Sequence, residues 1–221
     1  MRLKIVATTC IAIGLLMSTA SSHLFADVIL ENSATGGDIG PFGLSGSQTY
    51  GQVFTAPITG TLDSFTIYLV SGVGELHGAV GEWNGPATFD TGYGESYNLY
   101  TSATDDSIVG GAYTFSPNVS VVAGEQYVAY LSVYGDSPTG STDVALGTSE
   151  PGIGYFAWNH SGDPQNDSAW DYGANVGNLR FSASFSPITV PEPSSLTLLG
   201  MGAGVLGLVV VRRRRRAKRT A

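Results

Sequence analysis

Between positions 163 and 171 the chain is rich in side chains able to offer oxygen to a hard cation, and Asp163, Asn166, Asp167 and Asp171 are the candidate ligands. Calcium takes six to eight oxygens, and carboxylates and amide carbonyls on a loop supply them. The spacing is not that of an EF-hand, because no glycine and no closing glutamate stand at the required offsets. A solvated turn, with Asp and Asn bonding their own backbone, is the competing reading. Calcium is therefore the one candidate cofactor, and none other is expected.

Aromatic residues flank the same stretch: Tyr155, Phe156, Trp158, Trp170 and Tyr172. Exposed Trp and Tyr beside carboxylates and amides suit sugar recognition, since ring faces stack on pyranose C–H groups while polar groups bind hydroxyls. Trp158, His160, Trp170 and Tyr172 form the candidate ligand-binding set. Alternation along a strand places Phe156 and Trp158 on one side, where they would serve equally well as core. His77 and His160 are the only histidines beyond the first 26 residues. A zinc site would need carboxylates to complete it, and neither histidine stands in a His-Glu-x-x-His pattern. His77, between Leu76 and Gly78, reads as a structural histidine in a strand.

Enzymatic chemistry has less support. Gly43-Leu44-Ser45-Gly46 lacks the Gly-x-Ser-x-Gly spacing of a nucleophile elbow. The 17 carboxylates from Asp27 to Asp171 offer too many pairs to single out a glycosidase couple. With no lysine and only Arg180 between residues 27 and 192, phosphate chemistry is not expected. The chain is expected not to be an enzyme, an extracellular hydrolase remaining a remote alternative because a fold does not fix its chemistry.

These groups must be positioned by strands. Phe65, Ile67 and Leu69 alternate with Ser64, Thr66 and Tyr68; Ala129, Leu131 and Val133 with Tyr130, Ser132 and Tyr134; Leu179, Phe181, Ala183 and Phe185 with Arg180, Ser182 and Ser184. Each pattern predicts a strand with one dry face. Less regular strands are predicted at 50–55, 76–83, 97–102, 112–115, 144–146 and 154–158, separated by Gly, Pro, Asp and Asn clusters. Turns are expected at Asn84-Gly85-Pro86 and Ala123-Gly124-Glu125. Nine or ten short strands, on the order of what these windows allow, predict an all-β, antiparallel, jelly-roll-like β-sandwich over residues 27–187.

The chain ends read differently. Arg2 and Lys4, an apolar stretch from Ile5 to Met17, and small residues leading to Ala26 predict a secretory signal peptide over residues 1–26, and hence passage through the secretory translocon. Cys10 lies inside it, so the mature chain would have no cysteine for a disulfide or thiolate site. At the other end, a linker (188–194) precedes an uncharged stretch (195–211) and a basic tail (212–221). A helix over 195–211 would rise roughly 25 Å, just enough to cross a thin hydrocarbon core. Arg212, Arg213, Arg214, Arg215 and Arg216 would stop transfer and keep the tail cytoplasmic. Between those ends one arginine faces 18 carboxylates, a net charge of −17 over residues 27–192. Such a surface repels nucleic acid, and none is expected as a partner.

Val190-Pro191-Glu192-Pro193-Ser194, the short glycine-containing apolar stretch and the arginine cluster together resemble the PEP-CTERM sorting signal. The resemblance implies a substrate of exosortase, a membrane-embedded transpeptidase-like enzyme, with Val190, Pro191, Glu192 and Pro193 as the sorting motif. Two prolines favour the extended, hydrogen-bond-poor backbone that a processing cleft accepts. Phrases such as Gly51-Gln52-Val53-Phe54-Thr55 and Ala123-Gly124-Glu125-Gln126-Tyr127 resemble, more diffusely, the β-rich ectodomains that such signals follow. The expected protein is anchored in the inner membrane before processing. It then reaches the cell surface or extracellular matrix in a structural or adhesive role. The alternative is a carbohydrate-binding module, calcium-dependent or not, associated with exopolysaccharide.

Overall fold

The computed structural model describes residues 26–84, 96–148, 152–165, 170–172 and 177–188. These form two antiparallel sheets, with no helix among the described residues. The first contains β1 (Val28–Asn32), β2 (Gly37–Gly43), β4 (Gly60–Leu69), β8 (Gly111–Phe115), β9 (Val119–Val121), β11 (Ser141–Leu146) and β14 (Phe181–Pro187). Its order is β1-β14-β4-β11-β2, with β8 and β9 also on β4. The second contains β3 (Thr49–Thr55), β5 (Gly74–Trp83), β6 (Ser96–Thr101), β7 (Asp105–Ile108), β10 (Gln126–Ser132), β12 (Gly154–Asn159) and β13 (Asp171–Tyr172). Its order is β13-β12-β3-β10-β5-β6, with β7 also on β5. The chain crosses from one sheet to the other at most connections.

The alternating residues explain why the sheets meet. Leu62, Phe65, Ile67 and Leu69 of β4 and Phe181, Ala183 and Phe185 of β14 are buried, while the residues between them are partly exposed. Phe65 stacks parallel to Phe181 within the first sheet at 5.3 Å. Phe54 of β3 reaches across to Phe65 at 5.5 Å and to Phe185 at 6.0 Å. Ring pairs at these spacings add to what burial alone contributes. The expected turn at Ala123-Gly124-Glu125 lies between β9 and β10: Gly124 adopts φ +85° and donates its N–H to the Ala56 carbonyl.

Strand β10 differs from expectation. Its alternation predicts a wet face carrying Tyr130 and Ser132, yet both are fully buried. Tyr130 belongs to a second apolar cluster with Val53, Ala79, Trp83, Val128, Ala157 and Trp170. Trp170 packs into this cluster on the outer face of the second sheet. The sequence reading also passes over β1, β2, β7, β9 and β13. Gly85 and Pro86 of the turn expected at Asn84-Gly85-Pro86, the signal peptide apart from Ala26, and the helix at 195–211 lie outside the described residues. No helix among the described residues is long and apolar enough to cross a membrane.

Candidate functional site

Strand pairing brings one group of predicted site residues together. β12 pairs with the two-residue β13, setting Trp158 opposite Asp171 and Ala157 opposite Tyr172. β12 ends at Asn159, so His160 follows beside Trp158. The Trp158 indole lies over Phe156, ring centres 5.2 Å apart and 18° from parallel, and packs partly buried against the core. Its Nε1–H donates to His160 Nε2 at 3.2 Å, and His160 Nδ1 lies 2.8 Å from Ser47 Oγ. An indole nitrogen can only donate, so Nε2 accepts and the imidazole proton sits on Nδ1, directed at the Ser47 hydroxyl. Asp171 Oδ2 is 4.0 Å from His160 Nε2, and the two side chains are 51% and 67% exposed. The result is an indole edge, an imidazole and a carboxylate at the surface, with the imidazole fixed by a serine from another loop.

Trp170 requires a correction. It is 0% exposed and packs edge-on against Trp83 at 5.6 Å and Tyr130 at 5.4 Å. Its Nε1–H donates to the Pro164 carbonyl at 3.1 Å. An indole held this way is the keystone of the outer cluster and offers no face to a sugar. Beneath the same loop, Tyr130 is raised well above the usual phenol pKa, chiefly by burial and then by the charge of Asp163.

The proposed calcium ligands are only partly placed. Asp163 Oδ1 accepts the Gln165 backbone N–H at 2.9 Å, the turn-forming use of an aspartate. Asp171 is the exposed residue beside His160, while Asn166 and Asp167 lie outside the described residues. Among the described residues no group of three or more His, Cys, Asp or Glu side chains is arranged to hold a metal.

His77 is structural in its contacts. Its Nδ1 lies 2.6 Å from Asp136 Oδ2, with the side chains only 12% and 8% exposed. Thr104 Oγ1 donates to the other Asp136 oxygen at 2.7 Å. Nearby, Glu75 Oε2 accepts the Ser137 N–H at 2.9 Å, so the loop after β10 is tied twice to β5. Sequence reasoning missed Asp136 and Thr104: 59 positions separate His77 from Asp136, and no motif links them. Ser45, in the turn considered for a nucleophile, faces the Ser141 hydroxyl at 3.0 Å.

The sorting residues Val190, Pro191, Glu192 and Pro193 and the cluster Arg212 to Arg216 lie outside the described residues, so their assignment rests on sequence. No curated protein matches the chain. Residues 189–216 match the family model of the PEP-CTERM protein-sorting motif, and the chain carries that sorting signal directly after its β domain.

Proposed function

We propose that this is an exported β-sandwich protein with a structural or adhesive role at the cell surface or in the extracellular matrix, and that it catalyses no reaction. The observation that carries the reading is the sorting motif at residues 189–216, which implies export and recognition by exosortase. Support for a structural role comes from how the polar side chains are used. Thr66 bonds Thr114 across β4 and β8, Thr49 bonds Ser132 across β3 and β10, and Asp136 binds His77 and Thr104. The repeated crossings between sheets support the jelly-roll-like description as part of this reading. The decisive experiment expresses Pro191→Ala with Pro193→Ala in an exosortase-containing host. An uncut, membrane-retained form is expected; release like that of the unmodified chain would overturn the sorting reading.

A second reading has one specific observation in its favour: Trp158, His160 and Asp171 share a surface, held by Ser47. They suit an uncharged or cation-bridged glycan, since an acidic polymer would meet repulsion from the surrounding carboxylates. Glycan-array binding lost in Trp158→Ala would support a carbohydrate-binding module, and loss in EGTA would make it calcium-dependent. Equal binding by the variant would remove this site, and turnover of any polysaccharide would overturn both readings.

A further inference from the structure

The last described strand is an interior one. β14 pairs with β1 on one side, from Val28↔Phe185 to Asn32↔Phe181, and with β4 on the other, from Phe181↔Ile67 to Pro187↔Gly60. Phe181, Ala183 and Phe185 are each 0% exposed. Beyond Phe185 the strand stays fixed, because the Ser186 hydroxyl donates to the Asp63 carboxylate and Pro187 is still in register. Through Phe185 the strand is held on both edges and anchored by aromatic core residues, so releasing it means opening the sandwich, and Ser186 and Pro187 continue in register on β4.

Between Pro187, the last paired residue, and Pro191 stand only Ile188, Thr189 and Val190. Even fully extended, that chain reaches about 14 Å at 3.3–3.6 Å per residue. A peptidase that accepts Pro191–Pro193 in an extended conformation must therefore bring its cleft almost against the end of β14. The opening of β1 belongs to the same crowded end: Val28 lies opposite Phe185, so the chain enters at 26–27 beside the place where it leaves at 188.

We infer that the β1-β14-β4 ladder is a positioning element for sorting. It fixes the N-terminal limit of the segment exosortase can engage and, by leaving so short a free stretch, holds processing below the rate the motif alone would allow. This rests on the sorting reading above and adds to it that the folded domain is part of what the enzyme meets.

The test uses the full chain in an exosortase-containing host, with Gly-Ser inserts of about four and about eight residues placed between Pro187 and Ile188. This leaves the matched residues 189–216 intact. Pulse-chase labelling follows conversion of the membrane form to product. The shorter insert is expected to speed conversion several-fold and the longer one to add little more. Phe185→Ala, which loosens β14, is expected to speed conversion of the native-length chain but not of the longer-insert chain. Equal or slower conversion with both inserts overturns the inference, whatever Phe185→Ala does. Pro191→Ala with Pro193→Ala, run alongside, tells the two failures apart. If that variant stays uncut while the inserts have no effect, only the positioning role falls. If it is processed normally, the sorting reading falls and the positioning role with it.

Discussion

Tyr130 is fully buried, its ring against Trp170. Burial disfavours the phenolate, so the folded-state pKa lies above the ordinary value of 10.0, and the nearby Asp163 charge raises it further. Below pH 10 both folded and unfolded chains keep the proton and the full stability is present. Above it the unfolded chain ionises first, and stability falls by up to about 1.4 kcal/mol per pH unit for this group. Tyr50 and Tyr113 are raised by burial in the same direction. Urea titrations at neutral and alkaline pH should show a steep alkaline loss in the native sequence and a shallower one in Tyr130→Phe. At neutral pH Tyr130→Phe should be as stable as the native sequence or more so by about 1 kcal/mol, since it removes a desolvated hydroxyl. An unchanged alkaline slope would mean that this tyrosine is not the group responsible. The two tryptophans should separate in the same assay. Trp170→Ala, which empties the outer cluster, is expected to cost about 3–5 kcal/mol. Trp158→Ala, at a half-buried position, should cost clearly less.

At the scale of elements, what could be read from sequence followed the water. β4 and β14 have one face on the core and one toward solvent, so Phe65-x-Ile67-x-Leu69 and Phe181-x-Ala183-x-Phe185 show the period of two plainly. β10 shows it too, but only half of its meaning, because nothing local announces that Trp170, forty positions on, returns to cover Tyr130. β2, an edge strand containing Gly40 and Pro41, and β13, two residues long, carry no periodic signal. Proline is tolerated at an edge and disguises the strand it sits in. Of the candidate site, the sequence supplied Trp158, His160 and Asp171 but not their meeting, which depends on β12–β13 pairing. Nor did it supply Ser47, 113 positions from His160. The loop after β10 is likewise fastened by a distant pair, His77 and Asp136. Removing one partner of so enclosed a pair leaves the other without compensation, and Asp136→Ala should cost about 3 kcal/mol. A double-mutant cycle with His77→Ala, followed by urea unfolding, should return a coupling energy of about 1–3 kcal/mol. Additive losses would show that the two side chains act independently. Close packing between elements is tested at Gly78, where an added Cβ would fall 2.4 Å from Phe115 Cδ1. Gly78→Ala should therefore lower stability by about 1–3 kcal/mol through overpacking.

For the whole molecule, the governing quantity is charge. Residues 27–188 carry one arginine against 17 carboxylates. The arginine guanidinium lies over the Tyr68 ring, 4.1 Å from its centre. Two of those carboxylates, Asp136 and Asp171, stand beside histidines, His77 and His160. The fold thus gathers a large excess of like charge around an apolar core, and self-repulsion opposes compactness while keeping the protein dispersed. The strands nevertheless make a unit that closes at both ends, with β1 and β14 paired and the compact region ending at Pro187. A fragment spanning 27–188 should therefore fold cooperatively by itself, whereas one ending at Leu179, which lacks β14, should not. Screening should strengthen the longer fragment. Going from about 0.01 M to 0.15 M salt shortens the Debye length from about 30 Å to about 8 Å, and calorimetry should show Tm rising across that range. The rise should come from ionic strength itself, with sodium and magnesium chlorides giving similar curves once matched for it. A Tm that jumps instead at low calcium, while magnesium does nothing, would show that the carboxylates are organised into a specific cation site, and the Asp163 to Asp171 stretch would be the first place to look for it.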